Sequence, residues 1–316
     1  MPDTGPGEEA EVHRQREALD ALDAWGAGLA APLREAWAGL AEGLRLREGR
    51  GYFLHPLALP VIQLPLWLAA GRPPITDGRV SAAIHAAVAG YLHVRVQDDL
   101  LDEGRGLDRR SDGRALMLAE ALLARHHRLL VEASEGSAGL AALAEERWTA
   151  YAQAMALEVE LVGDEARAPI DEAVFERLLD RSAPLLLPPA ALLAPRLASG
   201  PGELADLTEL CRELARSHQL FTDAIDAERD LRNGNRSFVL DRLGAADGVG
   251  RVRQRLYAEG GLDAVMAEAH AALDRAMEAA ARLGLSGARP WADARRQTME
   301  QVRQRAFEGF FRSLLG

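Results

Sequence analysis

The stretch Ala82–Glu103, AAIHAAVAGYLHVRVQDDLLDE, decides how this chain is read. Ala82–Val96 is largely apolar, and a helix that is apolar over most of its circumference lies inside a fold rather than on its surface. The same stretch ends in carboxylates. Asp98 and Asp102 are four apart and Asp99 is three before Asp102, spacings that place all three on one side of a helix. Like charges stacked in this way repel and weaken an isolated helix. The repulsion becomes useful when a divalent cation neutralises it, and clustered carboxylate oxygens suit Mg²⁺. Taken alone, the cluster reads as easily as a solvated acidic patch at a helix end.

A second acidic face shifts that balance. Residues 219–230, QLFTDAIDAERD, place Thr222, Asp226 and Asp230 at i, i+4 and i+8, one stripe of a helix, with Asp223 beside it. A hydroxyl and two carboxylates in a row form a second oxygen-donor set for Mg²⁺. Downstream, Asn233-Gly-Asn-Arg-Ser237 supplies helix-ending turn residues and brings Arg236 near the end of the stripe. The competing reading is an amphipathic surface helix laced with ion pairs among Glu228, Arg229 and Arg232.

Around these two segments the chain reads as helix after helix, without a run of alternating β-branched residues. The expected helices are Glu17–Arg47, Pro56–Ala70, Arg79–Glu103, Asp112–Glu132, Gly139–Val162, Ile170–Leu185, Pro188–Leu197, Gly202–Arg232, Gly250–Glu259, Gly261–Leu283 and Pro290–Leu315. Breaks fall at GRPP (71–74), GDEARAP (163–169), Pro188–Pro189, SGPG (199–202), NGN (233–235) and GLSGARP (284–290). The expectation is an all-α, single-domain helical bundle with a central active-site cavity: residues 1–12 a flexible tail, 13–316 one domain.

Bulk numbers agree. Of 316 residues 48% are hydrophobic and 27% charged, enough apolar material for a sizeable core. The net charge is -11 and every Lys or Arg position is arginine. An acidic surface argues against a nucleic-acid partner, which wants a basic stripe, but not against a phosphorylated small molecule carried by metal ions. The single cysteine, Cys211, excludes an intrachain disulfide. Residues 1–17 lack the apolar segment of a secretory signal, and Leu57–Ala70 is too short and too interrupted by Pro60, Gln63 and Pro65 for a stable membrane span. A cytoplasmic protein is expected.

Together these residues resemble the trans-isoprenyl diphosphate synthase and class I terpene synthase superfamily, over roughly residues 45–240. Asp98–Asp102 is similar to its DDxxD motif, and Arg109-Arg110 to the arginine pair that follows it. Asp180-Arg-Ser-Ala-Pro184 resembles its KT segment, with Arg181 in place of the lysine that holds diphosphate. Gln219–Asp230 is similar to two patterns at once, the second DDxxD of prenyl synthases and the NDxxSxxxE triad of terpene synthases. In both, Thr222, Asp226 and Asp230 take the metal positions.

The resemblance implies Mg²⁺ as cofactor, three ions in all, held by Asp98, Asp102, Thr222, Asp223, Asp226 and Asp230, with Asp99 beside them. It implies a prenyl diphosphate substrate bound by Arg109, Arg110, Arg181, Arg236 and Gln219, and a homodimer. The helix-breaking Pro188-Pro189 resembles the family's kinked helix, and a plain loop explains it equally well. Candidate cavity aromatics are Phe53, Trp67, Tyr91, Trp148, Tyr151 and Phe221, each also readable as core packing.

Chain-elongating members bind isopentenyl diphosphate through a GGKRxRP segment and a histidine. Here Gly51-Tyr-Phe-Leu-His-Pro56 puts Tyr52 and His55 at the basic positions and Tyr91 at that of the histidine, with His93 nearby; a gapped alignment uses Arg50 instead. Loss of that site leads to the expectation of a class I terpene synthase, a lyase that ionises one prenyl diphosphate and cyclises or quenches the cation. The alternative is a trans-prenyltransferase that condenses an allylic diphosphate with isopentenyl diphosphate or another acceptor. A non-catalytic modulatory subunit is the third reading, disfavoured by the two acidic faces.

Overall fold

The computed structural model describes residues 6–46, 51–70, 75–103, 109–161, 169–194, 201–244 and 248–315. All regular structure among them is helical: α1 (Pro6–Ala27), α2 (Ala31–Gly43), α3 (Gln63–Ala70), α4 (Asp77–Glu103), α5 (Arg109–Ala133), α6 (Ala138–Leu161), α7 (Glu172–Leu178), α8 (Ala183–Ala191), α9 (Pro201–Asn233), α10 (Phe238–Arg242), α11 (Val249–Arg253), α12 (Gly261–Arg282) and α13 (Ala288–Leu315). Single 3₁₀ turns occupy Tyr52–Leu54 and Leu179–Arg181. The expected breaks GRPP at 71–74, most of GDEARAP and the first half of SGPG lie outside the described residues, while Pro201 and Gly202 already belong to α9.

Several boundaries differ from the sequence reading: the helix expected from Pro56 starts only at Gln63 and the one expected over Gly250–Glu259 ends its α part at Arg253, and three further differences have a clear physical reason. Helix α1 begins at Pro6, inside the stretch expected as a tail. Proline suits a helix start, because its fixed φ is helical and its missing N–H is one the first turn could not use. The single helix expected over Glu17–Arg47 is two, parted at Gly28–Ala30, with α2 restarting on a proline in its first turn. The fold-back is clasped by Trp37 Nε1, which donates to Asp23 Oδ1 at 2.9 Å. Third, Pro188 and Pro189 lie inside α8 rather than ending a helix. They remove two backbone bonds from a nine-residue helix. Burial of Leu185, Leu186, Leu187, Leu192 and Leu193, each at most 2% exposed, offsets that loss. A fully buried leucine contributes about 1.5–3 kcal/mol.

The described side chains pack into two apolar cores. Helix α4 supplies the middle of the first with Ala83, Ile84, Ala86, Ala87, Val88, Ala89 and Leu92, as its composition predicts. The second gathers α7, α10 and neighbouring parts of α9, α12 and α13. Helix α9 runs through both: Leu207, Leu210 and Leu214 belong to the first, Leu220, Phe221, Ala224 and Ala227 to the second. At 33 residues it is about 50 Å long. Its other face, from His218 to Asp230, is left over for the polar site. No helix among the described residues is long and apolar enough to cross a membrane.

Candidate active site

The C-terminal end of α4 and the C-terminal half of α9 face each other across a cavity of about 250 Å³. Asp98 lines it from α4. From α9 come Gln219, Thr222, Asp223, Asp226 and Asp230; Arg181 comes from the 3₁₀ turn after α7, and Arg236 from the turn after α9. Asp98 of the first acidic segment and the acidic stripe of α9, more than a hundred residues apart in sequence, thus share one cavity.

The end of α9 is shaped to close over this space. Gly234 adopts φ +75°, left-handed backbone that side chains resist. Asn235 N–H then donates to the Asp230 carbonyl at 2.8 Å, a helix stop that caps the last turn. The chain continues through Arg236, whose guanidinium donates to Asp241 Oδ2 at 2.6 Å. Ser237 caps α10 by accepting from Leu240 N–H at 3.2 Å. Phe175 and Phe238, stacked at 4.4 Å, form an apolar part of the wall together with Leu161, Ile170 and Leu178.

The electrostatics of the acidic face are strained in one direction. Burial pushes Asp223 up to about 7, although Gln219 Nε2 donates to it at 2.6 Å and Arg181 lies near. Burial also raises Asp226, against the pull of Arg229. Arg229 reaches Asp226 Oδ2 at 3.0 Å and Asp230 Oδ1 at 3.5 Å while its own side chain is 63% exposed, so a cation already sits across the stripe. On the opposite wall Arg181 is ion-paired with Glu158 and donates through Nε to the Leu178 carbonyl at 3.3 Å. Burial alone would lower its basicity, but Glu158 and then Asp98 hold it above the usual arginine value.

Thr222 Oγ1 donates back to the carbonyls of His218 and Gln219, both at 3.1 Å. Its proton is therefore committed to the backbone and its lone pairs are presented outward, the arrangement a hydroxyl needs to ligate a cation. Among the described residues no three Asp, Glu, His or Cys groups converge on one point. Magnesium takes one or two carboxylates and fills its octahedron with water and phosphate oxygens. The donor set of Asp98, Thr222, Asp226 and Asp230 matches this chemistry.

Other expected site residues are placed differently. Asp99 pairs with Arg95 at 2.7 Å, one turn back on α4. The side chains of Asp102, Arg109 and Arg110 lie outside the described residues. Of the six candidate aromatics none lines the acidic cavity. Phe53 and Trp67 are in the first core, Trp67 against Trp291 at 5.7 Å, and Phe221 is in the second. Trp148 packs on His93 and donates to His126 Nε2 at 3.2 Å; Tyr151 donates to Gln97. These rings sit inside because helix periodicity turns them toward neighbouring helices, where large apolar area is most stabilising.

Tyr91 lines a second cavity of about 490 Å³, with Arg45, Tyr52, His55, Leu57 and Ala58. Its hydroxyl is 2.6 Å from that of Tyr52, and burial holds Tyr91 well above the ordinary tyrosine range. Arg95, His218 and Thr222 line both cavities. Sequence reasoning missed Arg95, His218 and Glu158. Arg95 and His218 stand one turn before Asp99 and Thr222, so the i−4 spacing was the signal available. Nothing local marks Glu158.

No protein-family model matches the chain, and no curated protein does. Solved structures do. Geranylgeranyl pyrophosphate synthase from Corynebacterium glutamicum, complexed with calcium and isoprenyl diphosphate, superposes with a TM-score of 0.67 at 18% identity, covering 97% of this chain and 99% of that one. Geranylgeranyl pyrophosphate synthetase from the archaeon Geoglobus acetivorans gives 0.67 at 14% identity over 95% and 99%. This chain has the isoprenyl diphosphate synthase fold. The polyprenyl synthase from Caulobacter crescentus CB15, also complexed with calcium and isoprenyl diphosphate, is similar at a TM-score of 0.63 and 20% identity, over 92% and 97%. The all-helical architecture expected from the sequence is that of these synthases.

Proposed function

We propose that this protein is a magnesium-dependent prenyltransferase that ionises an allylic prenyl diphosphate in the acidic cavity and joins it to a second substrate in the adjoining one. The observation that carries the reading is the pair of cavities with a common wall of Arg95, His218 and Thr222. A reaction between two bound molecules needs two such sites in contact. The fold-level likeness to prenyl diphosphate synthases supports the same choice and reverses the preference drawn from the sequence.

In this reading Asp98, Asp102, Thr222, Asp226 and Asp230 hold magnesium, with Asp99 and Asp223 close by. Bound magnesium supplies positive charge that stabilises the departing diphosphate. Arg181 and Arg236, with Arg109, Arg110 and Gln219, donate hydrogen bonds to the same group; the planar arginine fork suits phosphate. Phe175 and Phe238 keep water from the reacting carbon.

A cyclase remains the second reading, favoured by the Tyr52–Tyr91 hydroxyl pair where elongating enzymes carry basic residues. The two are separated by incubating the protein and Mg²⁺ with C10 to C25 prenyl diphosphates, with and without isopentenyl diphosphate, and reading products by mass spectrometry. Longer diphosphates formed only with isopentenyl diphosphate support transfer. A hydrocarbon or alcohol from one substrate alone would overturn it in favour of cyclisation. A homodimer is part of the proposal, supported by the exposed Leu116, Met117 and Val131 on α5, and light scattering after gel filtration tests it.

A further inference from the structure

A buried arginine lies behind the wall that the two cavities share. Arg295, on α13, is 1% exposed and has no carboxylate partner among the described residues. Its Nη1 donates to the carbonyls of Pro56, Leu57 and Ala58 at 3.1, 2.8 and 3.2 Å, and its guanidinium carbon lies 5.4 Å from the centre of the Trp291 ring. Burying a charge without a counter-charge is costly. Three carbonyls satisfy one nitrogen; the other nitrogen, Nη2, is 3.1 Å from His218 Nδ1.

That last contact has one chemical solution. Arginine carries donors and no acceptor, so Nδ1 accepts. An imidazole accepting at Nδ1 is neutral and carries its hydrogen on Nε2, since the charged ring would have donors on both nitrogens. His218 lines both cavities, and Nε2–H has no hydrogen-bond partner among the described residues.

We propose that Arg295 is a positioning residue that locks His218 as an Nε2–H donor at the wall between the two cavities, where it binds an anionic oxygen of the reacting substrates. This rests on the prenyltransferase reading for the identity of that oxygen and on geometry alone for the lock. Two diphosphates could present it, the leaving group of the first substrate or the head group of the second. The lock also denies His218 the role of base toward the cavities, because the nitrogen left facing them already holds a proton. Arg295 further ties the Pro56–Ala58 segment, a wall of the second cavity, to the same ring.

The tautomer is read directly from long-range ¹H–¹⁵N spectra of the full chain with labelled histidine, assigned by comparison with His218→Gln. The expected result is a neutral His218 protonated at Nε2. Inorganic diphosphate with Mg²⁺ shifts that resonance if the leaving group is the acceptor; isopentenyl diphosphate alone shifts it if the second head group is. A His218 protonated at Nδ1, a charged ring at neutral pH, or no shift with either probe would overturn the proposal.

Activity gives an independent check. His218→Gln places an amide N–H near the position of Nε2–H and retains more activity than His218→Phe, which loses about tenfold or more in kcat/KM. Equal activity of the two variants would also overturn it. Arg295→Met, if folded, gives a mixture of tautomers at His218. Should the wild-type protein turn over no prenyl diphosphate, the prenyltransferase reading fails while the spectra still decide the lock.

Discussion

The two cavities share a wall and are built on opposite principles. In the proposed reading the acidic one would meet an anionic substrate with carboxylates, and would work only with cations brought from outside. Its own arginines are already engaged, Arg181 by Glu158 and Arg229 by Asp226 and Asp230. Among the described residues the second cavity has no carboxylate in its lining: Arg45, Arg95, His55 and His218 surround Tyr52 and Tyr91, whose hydroxyls satisfy each other across 2.6 Å. On that proposal, removing a charge from the first should remove function, while removing a hydroxyl from the second should alter fit. Ionisation and acceptor recognition are thus separable by mutation.

The largest effect expected from that separation is at Asp226. Asp226→Ala should lower kcat/KM at least about 100-fold, the scale of losing a group aimed at developing charge. Thermal stability should hold or rise, because burial already disfavours this carboxylate. Chelation with EDTA should abolish turnover and Mg²⁺ restore it. Product yield and melting temperature, measured on one preparation, check both halves; activity that survives EDTA would break the contrast between the cavities.

Arg181 sharpens it from the stability side. Its side chain is 15% exposed and that of Glu158 28%, so removing one partner strands the other's charge. Arg181→Met should cost about 3–5 kcal/mol in urea unfolding, and adding Glu158→Met should return most of it, because a buried pair is often replaceable by apolar groups. A small loss in the single variant would mean that solvent reaches this wall freely.

How much of this was legible in the sequence follows from the range of the interactions. Helices were legible because their periodicity is local, and Asp98, Thr222, Asp226 and Asp230 because i, i+4 spacing is local too. That these residues share a cavity is a tertiary fact, inferred only through the resemblance. Glu158 was invisible: it is one acid among many on α6, distinguished only by Arg181 from another element. Arg295 was equally hidden in ARRQTMEQ (294–301), since nothing local separates an arginine that surrounds itself with carbonyls from one that faces water. Of the aromatics, read as cavity or core alike, Tyr91 lines a cavity and most of the others are core. Trp148 and Tyr151 look like cavity residues by type, but their neighbours on α4 and α5 give them core partners.

At the second cavity effects should be smaller. Tyr91→Phe removes one hydroxyl and leaves that of Tyr52 facing the pocket, a loss of about 0.5–1.5 kcal/mol in stability. Ionisation of the allylic substrate, followed as diphosphate release, should be nearly unchanged. Tyr52→Arg should lower the KM for isopentenyl diphosphate if the pocket accepts a head group. A collapse of diphosphate release in Tyr91→Phe would show that the cavities do not act separately.

The smallest effect concerns Arg229. This exposed guanidinium spans Asp226 and Asp230, where the proposal puts metal. Exposed ion pairs contribute about 0–1 kcal/mol, so Arg229→Gln should barely move the melting temperature. It should, however, free both carboxylates, and the Mg²⁺ concentration for half-maximal activity should fall, by about threefold if the arginine competes with roughly 0.7 kcal/mol. The shift should shrink at high salt, since screening weakens the arginine's hold before it weakens a bound divalent ion. An unchanged Mg²⁺ requirement, with Asp226→Ala still inactive, would mean that Asp226 acts on the substrate by some route other than metal, and the contrast drawn between the two cavities would have to be rebuilt on hydrogen bonding alone.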